Sequence, residues 1–244
     1  MSASDQDKIM HQGRRHFICS AGAAMFLAGC QRSIQTAESL PGAYWPQVEK
    51  PEIPRPLPPV AVEPLPPSPP SGNLGTPDNP IPRSRWTRAG VGRNVDPMGG
   101  INRITLHHEG WHPIAFDDYN STIARLELIR TSHCSRGFAD IGYHFIIDRA
   151  GRVYEGRPLQ YQGAHVRQHH NEHNLGIMCL GNFEVQTPTD AQLRSLAATV
   201  SRLRQRFKVS YGRIYTHREL TPTACPGKNM QPRIAAMRSN NAFA

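Results

Sequence analysis

Two histidines stand where a strand would deliver its last side chain to a cleft. His107 closes the apolar run Ile104-Thr105-Leu106, and His217 closes Ile214-Tyr215-Thr216. Cys225 follows His217 by eight residues and leads into Pro226-Gly227. Two imidazole nitrogens and one thiolate suit a zinc ion and leave a fourth position open for water. With a single thiolate such a centre keeps net positive charge, which lowers the pKa of its water and polarises an amide carbonyl. The same residues also read as satisfied core histidines and a buried thiol, and spacing alone leaves both readings standing. Ten of the 12 histidines fall between His107 and His217, but density is weaker evidence than placement.

Elements able to position these residues follow from periodicity. Asn120 to His133 carries Ile123, Leu126 and Ile129 at a spacing of three and predicts a helix. Tyr143 to Asp148 predicts a strand, turned by Arg149-Ala150-Gly151-Arg152 into Val153-Tyr154-Glu155. Leu175 to Leu180 is almost continuously apolar, as a central strand covered on both faces should be. A helix is expected after Thr187-Pro188-Thr189-Asp190, with Thr187 as N-cap and Pro188 as first helical residue. Leu193, Leu196, Ala197, Val200, Leu203 and Phe207 then draw one apolar stripe. Tyr211 to Thr216 reads as a strand and Met230 to Met237 as a short closing helix. Strands interspersed with helices predict an α/β fold around one mixed sheet. Ala89-Gly90-Val91-Gly92 is too short to cradle a phosphate and precedes no strand–helix unit.

The chain has 244 residues and a formal charge of +9, and ten of its 22 prolines lie between Pro51 and Pro70. What remains compactible is one domain, which excludes a large multidomain enzyme. Five cysteines in this length exclude a small disulfide-stapled scaffold. Ahead of the prolines, Arg14-Arg15 precedes an apolar run from Phe17 to Ala28, too short for a span of about 20 residues. The run ends in Leu27-Ala28-Gly29-Cys30, which resembles the lipobox of bacterial lipoproteins. That resemblance implies a signal peptide over 1–29, lipidation of Cys30, export, and a membrane contact through the lipid chains. Gln31 behind the cysteine favours the outer membrane, facing the periplasm. Residues 30–80 are then a lipid-anchored, Pro-rich linker. Proline removes N–H donors and restricts its neighbour, so a polyproline II spacer at about 3.1 Å per residue is expected.

Six blocks in order resemble the zinc-dependent N-acetylmuramoyl-L-alanine amidases, whose fold is shared with phage amidases and peptidoglycan recognition proteins. They are Ile104 to His108, Gly137-Phe138-Ala139-Asp140-Ile141-Gly142-Tyr143 to Ile147, and Gly151 to Arg157. Gly163-Ala164-His165, Asn174 to Phe183, and His217 to Gly227 complete the set, and Ser84-Arg85-Trp86 resembles the family's opening segment. The resemblance runs from about Ile81 to Arg238, in a domain taken as 81–244, and implies a central mixed, mainly parallel β-sheet flanked by helices on both faces, with zinc in a surface groove. It implies one Zn²⁺ on His107, His217 and Cys225, and hydrolysis of the amide between N-acetylmuramic acid and L-alanine in peptidoglycan or muropeptides. Tyr143 matches the family tyrosine that faces the metal and would orient water or donate to the oxyanion.

Thr223 is expected, with Tyr143, to be catalytic; it stands where the phage enzymes carry a lysine and brings no charge, although active animal recognition proteins also carry a small hydroxyl residue there. The branch that prefers 1,6-anhydromuropeptides has a glutamate in place of Tyr143, which argues against a cytosolic recycling role. His165 matches a groove histidine expected to contact substrate, and Asn182, at the cleft rim, is expected to bond glycan or peptide. His108 is expected beside the metal ligands, Glu219 on backbone or His217 rather than as a base, and His144 satisfied within the fold. Cys134 and Cys179 read equally as a disulfide or as free thiols. A monomer is expected. The basic residues form no stripe or recognition helix, so the charge points to an anionic wall polymer and not to nucleic acid. The rival reading is a non-catalytic peptidoglycan-binding module of the same fold, against which the intact His107, His217 and Cys225 set speaks.

Overall fold

The computed structural model describes residues 72–244. The expected signal segment, Cys30 and the linker as far as residue 71 lie outside the described residues. Five strands form one sheet: β1 (Arg103–His108), β2 (Phe145–Ile147), β3 (Val153–Glu155), β4 (Asn174–Cys179) and β5 (Ile214–Thr216), in the order β3-β2-β4-β1-β5. β2 pairs antiparallel with β3, while β2–β4, β1–β4 and β1–β5 are parallel. The helices are α1 (Tyr119–Ser135), α2 (Asp190–Phe207), the single turn α3 (His217–Leu220) and α4 (Gln231–Ser239). A mixed, mainly parallel sheet with helices on both faces is therefore what the chain adopts.

The side-chain alternation of a strand explains why β4 is apolar throughout. Leu175, Ile177 and Cys179 join Ile104, Leu106, Leu196, Val200, Leu203 and Ile234 in the core beneath α2 and α4. Met178 and Leu180 join Ile123, Leu126, Ile129 and Ile146 in the core beneath α1. Each such fully buried aliphatic side chain contributes roughly 1.5–3 kcal/mol. The same division separates the thiols. Cys179 lies in the α2-side core and Cys134 on α1, across the sheet, and both are free.

Several boundaries differ from expectation, and β2 keeps only Phe145–Ile147 of the strand expected from Tyr143 to Asp148. α2 begins at Asp190 with Thr189, not Thr187, as its N-cap. Thr189 Oγ1 accepts from Gln192 N at 3.1 Å, and Gln192 Oε1 accepts from Thr189 N at 3.1 Å. This reciprocal box satisfies two orphan donors, and Pro188 stays outside the helix. Gln192 is buried and also donates from Nε2 to Leu180 O at 2.9 Å, so the tertiary fold decides the start. The last strand is shortened because Tyr211–Arg213 forms a 3-10 turn. Residues ahead of Ile81 join the packed domain: Val153 N donates to Gly75 O at 2.8 Å, and Leu74 packs near the α1-side core. Among the described residues no helix is long and apolar enough to cross a membrane.

Candidate metal centre

Parallel register brings the two histidines together. β1 and β5 pair with Leu106 opposite Thr216, so His107 and His217 leave neighbouring strands abreast at their carboxyl ends. This is where open α/β sheets present their ligand sites. The two ring centroids are 4.8 Å apart. α3 then turns the chain: Glu219 Oε2 accepts from Thr216 N at 2.8 Å and holds the Arg238 guanidinium, as its expected backbone role requires. Arg218 N donates to Cys225 O at 3.0 Å, which draws the loop back over His107. Cys225 Sγ lies 3.6 Å from His107 Nδ1. One ligand atom from each of His107, His217 and Cys225 lies within 4.8 Å of the others, a group able to hold a metal ion. His107 is buried, while His217 and Cys225 are partly exposed and give the cluster its solvent side.

Burial sets the charge state of these groups. It lowers His107 well below the usual histidine range, helped by His165 and His217. Burial, with Arg167 nearby, lowers His217 to about 4. Both imidazoles are thus neutral at pH 7 and keep a lone pair. Burial also pushes the Cys225 thiol up to about 12, an effect that a bound cation opposes directly. Among the described residues, His217 Nε2 is buried without a hydrogen-bond partner. Leaving such an atom unsatisfied costs roughly 1–3 kcal/mol. Neutral imidazoles, a thiol and an orphaned nitrogen together fit a metal ion.

Tyr143 lies over the cluster, its ring centroid 5.3 Å from that of His107. Its backbone is pinned from both sides. Arg157 N donates to Tyr143 O at 2.7 Å, and Gly142 N donates to His133 Nδ1 at 2.9 Å. Gly156 allows this approach, since a Cβ there would come within 2.3 Å of Tyr143 O. Burial, with the negative groups of Cys225 and Glu109 adding, pushes the Tyr143 hydroxyl far above its ordinary range. It therefore remains a proton-bearing donor.

Three expected site residues have protein partners of their own. His165 is only 6% exposed and sits behind His107, with its Nδ1 at 3.0 Å from His107 Nε2 and its Nε2 at 3.2 Å from Asn174 O. Both ring nitrogens are occupied by protein, which places the ring behind the ligand histidine. Asn182 is engaged at both ends of its amide: Nδ2 donates to Trp111 O at 2.8 Å, and Oδ1 accepts from Glu184 N at 3.0 Å. It ties the segment after β1 to the segment after β4. Thr223 is exposed, and its hydroxyl accepts from Cys225 N at 3.2 Å, which places it as a brace for the ligand loop. His108 faces the opposite side of the sheet and accepts from Phe183 N at 3.1 Å. His144 accepts from Gly176 N at 3.0 Å and donates to Tyr161 O at 3.1 Å, satisfied within the fold.

Glu109 was not singled out by the sequence. It follows His107-His108, is nearly buried, and pairs with Arg125, whose guanidinium lies 4.5 Å from the centroid of the exposed Trp111 ring. An acid directly after a pair of histidines at a strand end was the available signal. Its partner on α1 could not be read from spacing.

His133 yields a test of the electrostatics away from the ligands. Burial lowers it to about 3, with Arg136 and Arg157 adding. Since its folded pKa lies below the unfolded value, the unfolded chain binds more protons, and stability falls as pH drops from about 6.5 toward 3. His133→Asn keeps an acceptor near Gly142 N but does not titrate. Denaturant titrations from pH 6.5 to 4.5 should show the wild type losing roughly 1 kcal/mol per pH unit more than this variant. Parallel pH profiles would refute the assignment.

The sequence profile for N-acetylmuramoyl-L-alanine amidase matches residues 97–228. Peptidoglycan-recognition protein SC2 of Drosophila melanogaster is 33% identical over 156 residues, covering 62% of this chain and 81% of that protein. The fold is similar to that of the N-acetylmuramoyl-L-alanine amidase LysC from Clostridium intestinale URNW, with TM-score 0.54 and 25% identity over 66% of this chain and 96% of that one. It is similar also to peptidoglycan recognition protein-LE in complex with tracheal cytotoxin, a monomeric diaminopimelic acid-type peptidoglycan. There the TM-score is 0.59 and the identity 25%, over 64% of this chain and 92% of that one.

Proposed function

The chain belongs to the N-acetylmuramoyl-L-alanine amidase family, and we propose that it hydrolyses the amide between N-acetylmuramic acid and L-alanine, using one zinc ion held by His107, His217 and Cys225. The observation that carries this reading is the convergence of those three ligand atoms within 4.8 Å. A module that only binds has no need of the complete donor set, which sets the non-catalytic alternative behind. Zinc, when bound, supplies a Lewis acid and an activated water. The protein's own groups do the rest. Tyr143, kept protonated, donates to the carbonyl oxygen as charge develops on it. Thr223 holds the Cys225 backbone, and Arg218 anchors the same loop from α3. Glu109 and Arg125 stiffen the rim beside Tyr143.

Peptidoglycan or its soluble muropeptides are the substrates in this reading. The likeness to a recognition protein bound to a monomeric peptidoglycan supports it, and a formal charge of +9 suits an anionic polymer. Lipidation at Cys30, with the Pro-rich segment as spacer, would hold a monomeric catalytic domain in the cell envelope, at the outer membrane and facing the periplasm. The motif Leu27-Ala28-Gly29-Cys30 supports that placement.

Mass spectrometry of purified peptidoglycan after digestion tests the activity. Free stem peptides beginning with L-alanine should appear, vanish with a chelator and return with Zn²⁺. Zinc-loaded protein that releases none, from intact wall or from muropeptides, would overturn the reading. The anchor is tested separately by palmitate labelling of the full chain in a bacterial host. Label should be lost in Cys30→Ala, and persistent label would remove Cys30 from the anchor.

A further inference from the structure

The buried pair His107–His165 is a directed chain of hydrogen bonds, and its direction can be worked out. Asn174 O is a carbonyl and can only accept, so His165 Nε2, 3.2 Å away, carries the hydrogen. The His165 ring is buried and, among the described residues, has no carboxylate against it, so it holds a single ring hydrogen, and with that hydrogen on Nε2 its Nδ1 is a bare acceptor. His107 Nε2, 3.0 Å from that Nδ1, must therefore donate. A neutral His107 with hydrogen on Nε2 has a bare Nδ1, the atom that faces Cys225 Sγ at 3.6 Å.

The ring of His165 has little freedom to do anything else. It fills a slot made by two glycines, where a Cβ on Gly163 or Gly176 would come within 2.2 or 2.5 Å of His165 Cδ2. Its backbone is clamped by Asn171, whose Oδ1 accepts from His165 N at 3.1 Å and from Val166 N at 2.9 Å. The carbonyl at the far end is equally fixed. Asn174 is the first residue of β4, opposite Arg103, and its Oδ1 accepts from Thr105 Oγ1 at 2.9 Å.

We propose that His165 is a positioning residue: by accepting from His107 Nε2, it selects the tautomer and ring orientation that expose His107 Nδ1 to the metal. The inference rests on the metal-site reading above and deepens it, since the imidazole's second nitrogen is held as outer partners hold metal-bound histidines. It also replaces the substrate contact expected of His165 with a role two hydrogen bonds deep in the sheet.

The tests use the full chain with His165→Ala and His165→Asn; the asparagine Oδ1 falls near the position of Nδ1. In zinc-free protein, ¹⁵N imidazole spectra of the wild type should show His107 with hydrogen on Nε2, and His165→Ala should lose that preference. Zinc competition against a chelator should show affinity lower by about 10–100-fold in His165→Ala, and largely recovered in His165→Asn. With zinc saturating, KM for muropeptide should stay near wild type. Gly176→Ala, which pushes on the ring and leaves His165 in place, should weaken zinc in the same direction. A folded His165→Ala that keeps both the tautomer and wild-type zinc affinity overturns the proposal, as does a raised KM with zinc affinity unchanged. Should His165→Ala fail to fold, His165→Asn and Gly176→Ala decide by the same readouts. The tautomer measurement needs neither zinc nor turnover, so it separates failure of this inference from failure of the amidase reading.

Discussion

Cys225→Ser is expected to bind no zinc after dialysis and to release stem peptides at least about 10³-fold more slowly than wild type. The change is nearly isosteric, so the loop should persist. Arg218 N still reaches the residue-225 carbonyl, and Thr223 still accepts from its amide. What goes is the one donor able to carry negative charge in the group of three. An alcohol stays protonated at neutral pH, and two neutral imidazoles alone hold zinc poorly. Metal analysis, circular dichroism and product release on one preparation separate the outcomes. A serine variant with one zinc per chain and more than a tenth of the wild-type rate would remove Cys225 from the centre.

Tyr143→Phe should keep its zinc and its fold while kcat falls by about 10²–10³, the usual loss when one preformed oxyanion donor is removed. The ring remains to pack against His107 and His133, whose centroids lie 5.3 and 5.8 Å away, so the deletion removes only the hydroxyl. KM should hardly move, because the lost bond strengthens only as charge develops on the carbonyl oxygen. The raised Tyr143 pKa adds a sign. The hydroxyl donates below its pKa and fails above it, so wild-type activity should not decline through the ordinary tyrosine range. Unchanged turnover in the phenylalanine variant would take Tyr143 out of the reaction.

These two substitutions fall on residues legible in the amino-acid sequence itself. His107 and His217 are recognisable as strand ends, and Cys225 and Tyr143 by the blocks that resemble the amidases. Strand periodicity carries the rest of that reading. It marks where a run of alternating or continuous apolar residues stops, and a parallel sheet places its chemistry at such ends. The continuous apolar run at Leu175–Leu180 likewise announces a central strand, because burial on both faces leaves no place for a polar residue.

Other placements depend on contacts between segments far apart in the chain. His165 lies 58 residues from His107, and nothing in Gly163-Ala164-His165 says on which side of the ligand its ring will lie. That is settled by Gly176 on β4, whose missing side chain opens a slot for it. Asn182 has the polarity of a substrate contact, but Trp111 O and Glu184 N take both ends of its amide. The start of α2 is decided by a buried Gln192 reaching Leu180, and the fate of Cys134 and Cys179 by the sheet between them. The sequence by itself determined the donor types, their strand-end positions and the mixed sheet that carries them, because these follow from local pattern. Tertiary structure alone decided which polar atoms remain free for chemistry, because a hydrogen bond is consumed by whichever partner the packing brings within about 3 Å.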